Sequence, residues 1–196
     1  MGRYITSNDL LDYTANDTAD GLRWADIAIN AAEDWIDKYT GRRYDVATAA
    51  TTATARKYAE QCFDTLLPID DCFEVTAISI AGATIALANV EFEPVNGIDY
   101  AGEAWPYTGI VYSGGWSAGS TLKYPITITG RWGWPAIPSA ITQAAYVLAR
   151  DEMLLRRTLG NGYIGITDSF GLRAGENKSV TTLLHRYRRA ESWGIA

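Results

Sequence analysis

Leu22, Ala25, Ile29, Ala32, Ile36 and Tyr39 recur at alternating steps of three and four residues, a spacing that returns each side chain to one side of an α-helix. Held for about five turns, it predicts a long amphipathic helix whose apolar stripe must be covered. Asp17, Thr18 and Asp20 place capping oxygens and negative charge at its start, and Gly41 stands just past its last apolar position. A second stripe of the same period comes only far along the chain. Ile141, Ala145, Leu148 and Leu155, with Ala144 and Ala149 beside them, follow Pro138 and Ser139, both helix-start residues. Arg156 and Arg157 fall in the last turn of this helix. Leu22, Ala25, Ile29, Ala32, Ile36 and Tyr39 are therefore expected to pair with Ile141, Ala145, Leu148 and Leu155.

Between the two stripes the period changes. Ala47–Thr54 is a Thr/Ala-rich run that reads as a linker. Beyond it, Phe73, Val75 and Ala77 alternate with Glu74, Thr76 and Ile78 in a β-prone run ending near Ile80. Ala81–Ala83 is a hairpin turn and Thr84–Ala88 a return strand. Further strands are expected at Thr54–Glu60, Val90–Pro94, Ile98–Tyr100, Gly109–Tyr112 and Ile126–Arg131, with Gly, Pro and Asn between them. Ser7 begins a short helix near the start, and Ser179 caps another carrying Val180, Leu183, Leu184 and Tyr187. A Gly-rich loop, 160–175, precedes the latter. The expectation is an α+β protein: a helical bundle from residues 1–51 and 136–196, interrupted by an antiparallel β-sheet domain over 52–135.

Chemistry-bearing residues are few. The chain has two cysteines, Cys62 and Cys72, and one histidine, His185, with no Cys/His cluster at metal-ligand spacing. No catalytic residue, metal ligand or cofactor is expected, and the chain reads as a non-enzyme. A disulfide between Cys62 and Cys72 is open, with reduced thiols the expectation in a cytoplasm. No apolar run is long enough for a membrane span, and the residues after Met1 form no signal-like apolar segment. The net charge is −6, but residues 140–196 carry eight bases against five acids. An acidic body is not the footprint of a sequence-reading nucleic-acid binder.

Seven tryptophans and twelve tyrosines are many for this length. Trp105, Tyr107, Tyr112, Trp116, Trp132 and Trp134 cluster late in the β region. They suit a core, a subunit or neck-protein interface, or a platform for stacking sugars. Glu91 and Glu93 alternate on one strand and Asp70-Asp71 sit in a turn. Solvated acids are the expectation there, because a glycosidase pair must flank a cleft. Arg186, Arg188 and Arg189 gather at the end of the last helix, suiting a protein neighbour, DNA phosphates or solvent.

Two stretches resemble the head–tail connector, or adaptor, proteins of tailed bacteriophages and gene transfer agents. The first is Tyr4-Ile5-Thr6 with Asp9-Leu10, followed by the long helix that closes in Asp34-Trp35-Ile36-Asp37-Lys38-Tyr39-Thr40-Gly41-Arg42. The second is Ile126-Thr127-Ile128-Thr129-Gly130-Arg131-Trp132-Gly133-Trp134-Pro135-Ala136-Ile137-Pro138, followed by the helix ending Leu154-Leu155-Arg156-Arg157. In that family, a strand entering an aromatic-Gly-aromatic-Pro-x-x-Pro turn introduces a helix that packs on the first long one. The resemblance covers about half the chain. It implies a structural virion protein of the neck, present in the host cytoplasm during assembly. It implies a homo-oligomer, a dodecameric ring below the portal protein, whose isolated subunit can remain monomeric. The next neck protein, a stopper or tail-side component, would assemble on the ring. DNA would pass through its lumen without sequence-specific binding. The segment matching the family's portal-docking part contains Leu183, Leu184, Arg186, Tyr187, Arg188, Arg189 and Trp193, and deleting residues 180–196 is expected to abolish portal attachment without unfolding the helical bundle. The long aromatic β region departs from the smallest members, which are nearly all helix. From another class, a carbohydrate- or receptor-binding β module of a phage tail is the alternative.

Overall fold

The computed structural model describes residues 4–14, 19–60, 65–117, 119, 122–159 and 177–189, of which 19–23 and 156–159 as backbone only. The protein is α+β. Among the described residues there are four α-helices: α1 (Ser7–Thr14), α2 (Ala19–Thr40), α3 (Ser139–Leu159) and α4 (Lys178–His185). Six strands form one antiparallel sheet: β1 (Thr54–Tyr58), β2 (Leu66–Ile80), β3 (Ala83–Ile85), β4 (Val90–Glu93), β5 (Tyr107–Tyr112) and β6 (Ile126–Trp132). The chain divides into two compact units, one of residues 1–44 and 137–196, the other of 45–136.

In the first unit α2 packs on α3, with α1 against both and α4 against α3 and α2. Ala25, Ile29, Ala32 and Ile36 of α2 and Ile141, Ala145 and Leu148 of α3 are buried, as their spacing requires. Tyr39 and Leu155, at the ends of the two stripes, are only half-buried, and the Leu22 side chain lies outside the described ones. α1 begins at Ser7, as expected, and Thr6 is its cap. The Asp9 N–H donates to Thr6 Oγ1 at 3.2 Å and the Thr6 N–H to Asp9 Oδ2 at 3.4 Å, a reciprocal capping box. α4 begins earlier than expected, because Asn177, not Ser179, is the cap, its Oδ1 accepting from the Val180 N–H. α2 ends at Gly41, whose φ of +64° suits a residue without Cβ. The expected caps Asp17 and Thr18, and the Gly-rich 160–175 stretch, lie outside the described residues.

The chain entry is tied to α2 by polar contacts. The Tyr4 N–H donates to the buried Glu33 carboxylate at 2.7 Å, the Tyr4 hydroxyl bonds Asp37, and the Tyr44 N–H donates to the Tyr4 hydroxyl. Tyr4 also meets Tyr44 edge to face, so Tyr4-Ile5-Thr6 is an anchor as well as a helix lead-in.

In the second unit the strand order is β1-β6-β2-β5-β4, with β3 also on β2. One sheet face carries the core: Leu67, Ile69, Val75, Ile78, Ile110, Ile126 and Ile128 are buried there with Trp116. Several expectations are corrected. Asp70 and Asp71 lie inside β2, not in a turn, so the strand begins at Leu66 instead of Phe73. Their charges disguise it, and bulges that shift its register between Pro68 and Cys72 spoil the alternation. The hairpin turn is only Ala81-Gly82, both at positive φ, and the return strand stops at Ile85 before a 3-10 turn at Leu87–Asn89. Ile98–Tyr100 forms no strand, only a single bridge from Ile98 to Ala104. Nor is Ala47–Thr54 a plain linker. Ala47 is fully buried and donates its N–H to the Trp134 carbonyl, while Trp134 donates to the Asp45 carbonyl. Those bonds bring the unit boundary forward to residue 45.

Candidate functional site

The six aromatics expected at an interface divide into two groups. Trp116 and Trp134 are fully buried, and their indole N–H groups are satisfied inside the unit. Trp116 donates to the Thr65 carbonyl at 2.7 Å and Trp134 to Asp71 Oδ2 at 3.0 Å. They hold the core and cannot meet another molecule in this conformation, which corrects the surface reading for both. Burial of a large ring with its one donor paired explains that outcome. Trp105 packs against Trp134, Tyr107 against Phe92 and Tyr112 against Trp116, with ring centroids 4.7, 5.0 and 5.6 Å apart; all three are half-buried.

Trp132 sits differently, beside the β1 edge. Its Nε1–H donates to the Thr54 carbonyl, and the Arg56 guanidinium lies 4.3 Å from its ring centroid. Arg56 also pairs with Asp70 at 2.8 Å, and Asp70 accepts from the Tyr58 hydroxyl. Burial pushes the Tyr58 hydroxyl well above the usual phenol range, the neighbouring Asp70 charge adding to the rise. Arg131 pairs with Glu74 on the adjoining strands. These groups are bound to one another.

Cys72 is a buried free thiol, pushed up to about 12 chiefly by desolvation, so it stays protonated at neutral pH and is a poor nucleophile. Cys62 lies outside the described residues. No group of three or more His, Cys, Asp or Glu that could hold a metal occurs among the described residues. His185 is exposed at the end of α4, and Glu91 and Glu93 are exposed on β4. One shallow depression in the helical unit is lined by Tyr13, Ser139, Thr142, Gln143 and Tyr146, with no charged side chain in it.

The residues expected to dock on a portal are mostly engaged at home. Leu184 is fully buried and Tyr187 nearly so, its ring edge-on to Tyr44. Leu183, Arg186 and Arg189 are half-buried; Arg186 lies over the Tyr187 ring, and the Arg189 N–H donates to the Thr40 carbonyl at 2.7 Å. Arg188 is exposed, 5.4 Å from the Tyr39 ring centroid, and Trp193 lies outside the described residues. Leu184 and Tyr187 are thus core side chains of their own unit, which corrects the docking assignment for both. The sequence offered the signal: Val180, Leu184 and Tyr187 repeat at helical spacing and need burial as much as a partner.

The sheet of the β unit ends in two edge strands. β1 and β4 end the strand order, and every residue of β1 except Tyr58 is exposed. No helix among the described residues is long and apolar enough to cross a membrane. The chain matches no family model, and no curated protein matches it.

Proposed function

We propose that the protein is a head–tail connector subunit of a tailed-phage neck, a structural and non-enzymatic component. In this reading, it assembles as a ring below the portal and carries the next neck or tail protein. A helical bundle made from both chain ends is its core, and the β unit is an insertion. One observation carries this reading most. The strand β6 runs through Gly133-Trp134-Pro135 directly into α3, and α3 lies on α2, the order and pairing that the adaptor resemblance implies. The acidic balance suits a conduit, since phosphates passing through its lumen would be repelled rather than held by counterion release.

Docking to the portal, in this proposal, falls to Arg188, Leu183 and the outer parts of Arg186 and Arg189, with Leu184 and Tyr187 supporting them from within. The sugar- or receptor-binding alternative is weakened, because the burial of Trp116 and Trp134 removes two of its stacking faces. Electron microscopy of the chain mixed with the portal of its own virus tests the proposal. Rings on the portal's tail-side face are expected. Portals that stay bare at saturating chain, together with glycan binding by free subunits, would refute it.

A further inference from the structure

The depression in the helical unit joins the end of α1 to the first half of α3. Ser139, Thr142, Gln143 and Tyr146 are spaced by three, one and three residues, so one face of α3 carries all four. With Tyr13 of α1 and Ile137 they line a space of about 510 Å³. The Tyr13 and Tyr146 rings lie 5.2 Å apart, tilted by 32°, and Tyr13 is 51% exposed. Among the described residues, nothing bonds the two phenol hydroxyls, the Ser139 and Thr142 hydroxyls or the Gln143 amide, so all five groups are available to a ligand.

The surroundings are acidic. The Tyr146 hydroxyl is raised above the usual phenol range, chiefly by desolvation, with the charges of Asp9 and Asp12 adding to the rise. Both carboxylates are exposed on α1; Asp9 is tied to the Thr6 cap, whereas no ion pair among the described residues engages Asp12. No cation lines the space, and Arg150, one turn beyond Tyr146, is not among the lining residues.

We propose that this depression takes an arginine side chain presented by a partner protein. The site stands on its own residues and is independent of the neck reading. A guanidinium is planar and weakly hydrated, so it lies readily on a tyrosine face, where the ring quadrupole attracts it. Its five N–H donors need acceptors, and the Gln143 carbonyl, the Ser139 and Thr142 hydroxyls and the Asp12 carboxylate are of that kind. An anion would be repelled by Asp9 and Asp12 and would meet no lining cation in return. A neutral sugar would bond the hydroxyls but draw no attraction from the two charges. Because the depression is open, a free small cation would be held on one side only. The exposed Tyr13 ring and the half-buried Ile137 offer apolar surface to the rest of a polypeptide, which favours a protein as the source.

Nuclear magnetic resonance of the isotope-labelled full chain tests this. The ligands are a glycyl-arginyl-glycine peptide blocked at both ends and its counterparts with citrulline, lysine or glutamate in the middle. Citrulline keeps the shape of arginine without its charge. The arginine peptide is expected to shift the Tyr13 and Tyr146 ring signals saturably, and less at high salt. The citrulline peptide should bind roughly tenfold more weakly, with lysine between the two. Asp12→Asn should weaken arginine binding about threefold and leave citrulline binding unchanged. Tyr13→Leu, which keeps apolar bulk but removes the ring, should weaken it roughly fivefold. Unchanged thermal midpoints would show that both variants are folded. Equal affinity for arginine and citrulline would overturn the proposal in favour of a neutral polar ligand. Tighter binding of the glutamate peptide overturns it as well. Tyrosine signals that stay unmoved at the highest soluble concentration of the arginine peptide also refute it, and none of these results touches the imaging test on the portal.

Discussion

Gly133 stands at the junction where β6 leaves the sheet, and replacing it with alanine is a sharp test of the packing there. Its φ is +131°, and a Cβ placed on it would lie 2.3 Å from the Asp45 carbonyl oxygen and 3.3 Å from Ala47 Cβ. Neither obstacle is the tip of a flexible side chain. The Asp45 oxygen is also the acceptor for the Trp134 N–H at 2.7 Å, and Gly133 itself donates to the Asp71 carbonyl at 2.8 Å. Gly133→Ala must therefore strain the backbone, at about 1–3 kcal/mol, and displace at least one buried hydrogen bond, at about 1 kcal/mol more. The expected loss is roughly 3 kcal/mol, or about 15 °C in the unfolding midpoint of the β unit. Gly82→Ala is the control. Gly82 also has positive φ, +87°, but nothing lies within 4 Å of where its Cβ would stand, so only the conformational cost of about 1–2 kcal/mol applies. Thermal and urea unfolding followed by tryptophan fluorescence measures both. If Gly133→Ala costs no more than Gly82→Ala, the close approach of Asp45 is not what demands a glycine.

Ile29→Ala and Leu148→Ala each empty a fully or nearly fully buried site on α2 and α3, and each should cost about 2–5 kcal/mol in urea unfolding. Deleting residues 180–196 removes the buried Val180, Leu184 and Tyr187, so the helical unit should lose at least about 5 kcal/mol; an unaltered urea midpoint would contradict their core role. The folded Cys72 thiol titrates near 12 against an ordinary value of 9.0, so the unfolded chain loses its proton first as pH rises. Stability should therefore fall between about pH 9 and 12, and Cys72→Ala should flatten that part of the profile, with Tyr58 contributing a slope of the same sign. Iodoacetamide at neutral pH should label Cys72 only after denaturant is added, which mass spectrometry of the tryptic peptide reports.

The helices are the most legible part because their signal is local and long. α2 and α3 can be read from the apolar period alone, and Gly41 marks a true end. Short elements are harder. The cap of α4 moves from Ser179 to Asn177, since several neighbouring residues could serve and only backbone geometry selects one. The early half of β2 is hidden because Asp70 and Asp71 look like turn residues. Asp71 is nonetheless buried, accepting from Trp134, a residue sixty-three positions away. Nothing near Asp71 in the chain announces that partner.

The same distinction runs through the candidate surfaces. Trp105, Tyr107, Tyr112, Trp116, Trp132 and Trp134 form one cluster in the sequence, yet Trp116 and Trp134 are core while Trp132 borders an edge. Leu184 and Arg188 share one segment, but one side chain is buried and the other is exposed. Glu91 and Glu93 read as solvated acids from their spacing. That their strand is a sheet edge emerges only once strand order is known.

The mixed class, the two long amphipathic helices and the scarcity of catalytic groups are written in the amino-acid order, because periodicity and composition act over a few turns of chain. Strand order, the sharing of buried aromatics and the charge on each sheet edge arise only when the chain is folded. They depend on which distant segments become neighbours, and pairing across a sheet leaves almost no trace in local spacing.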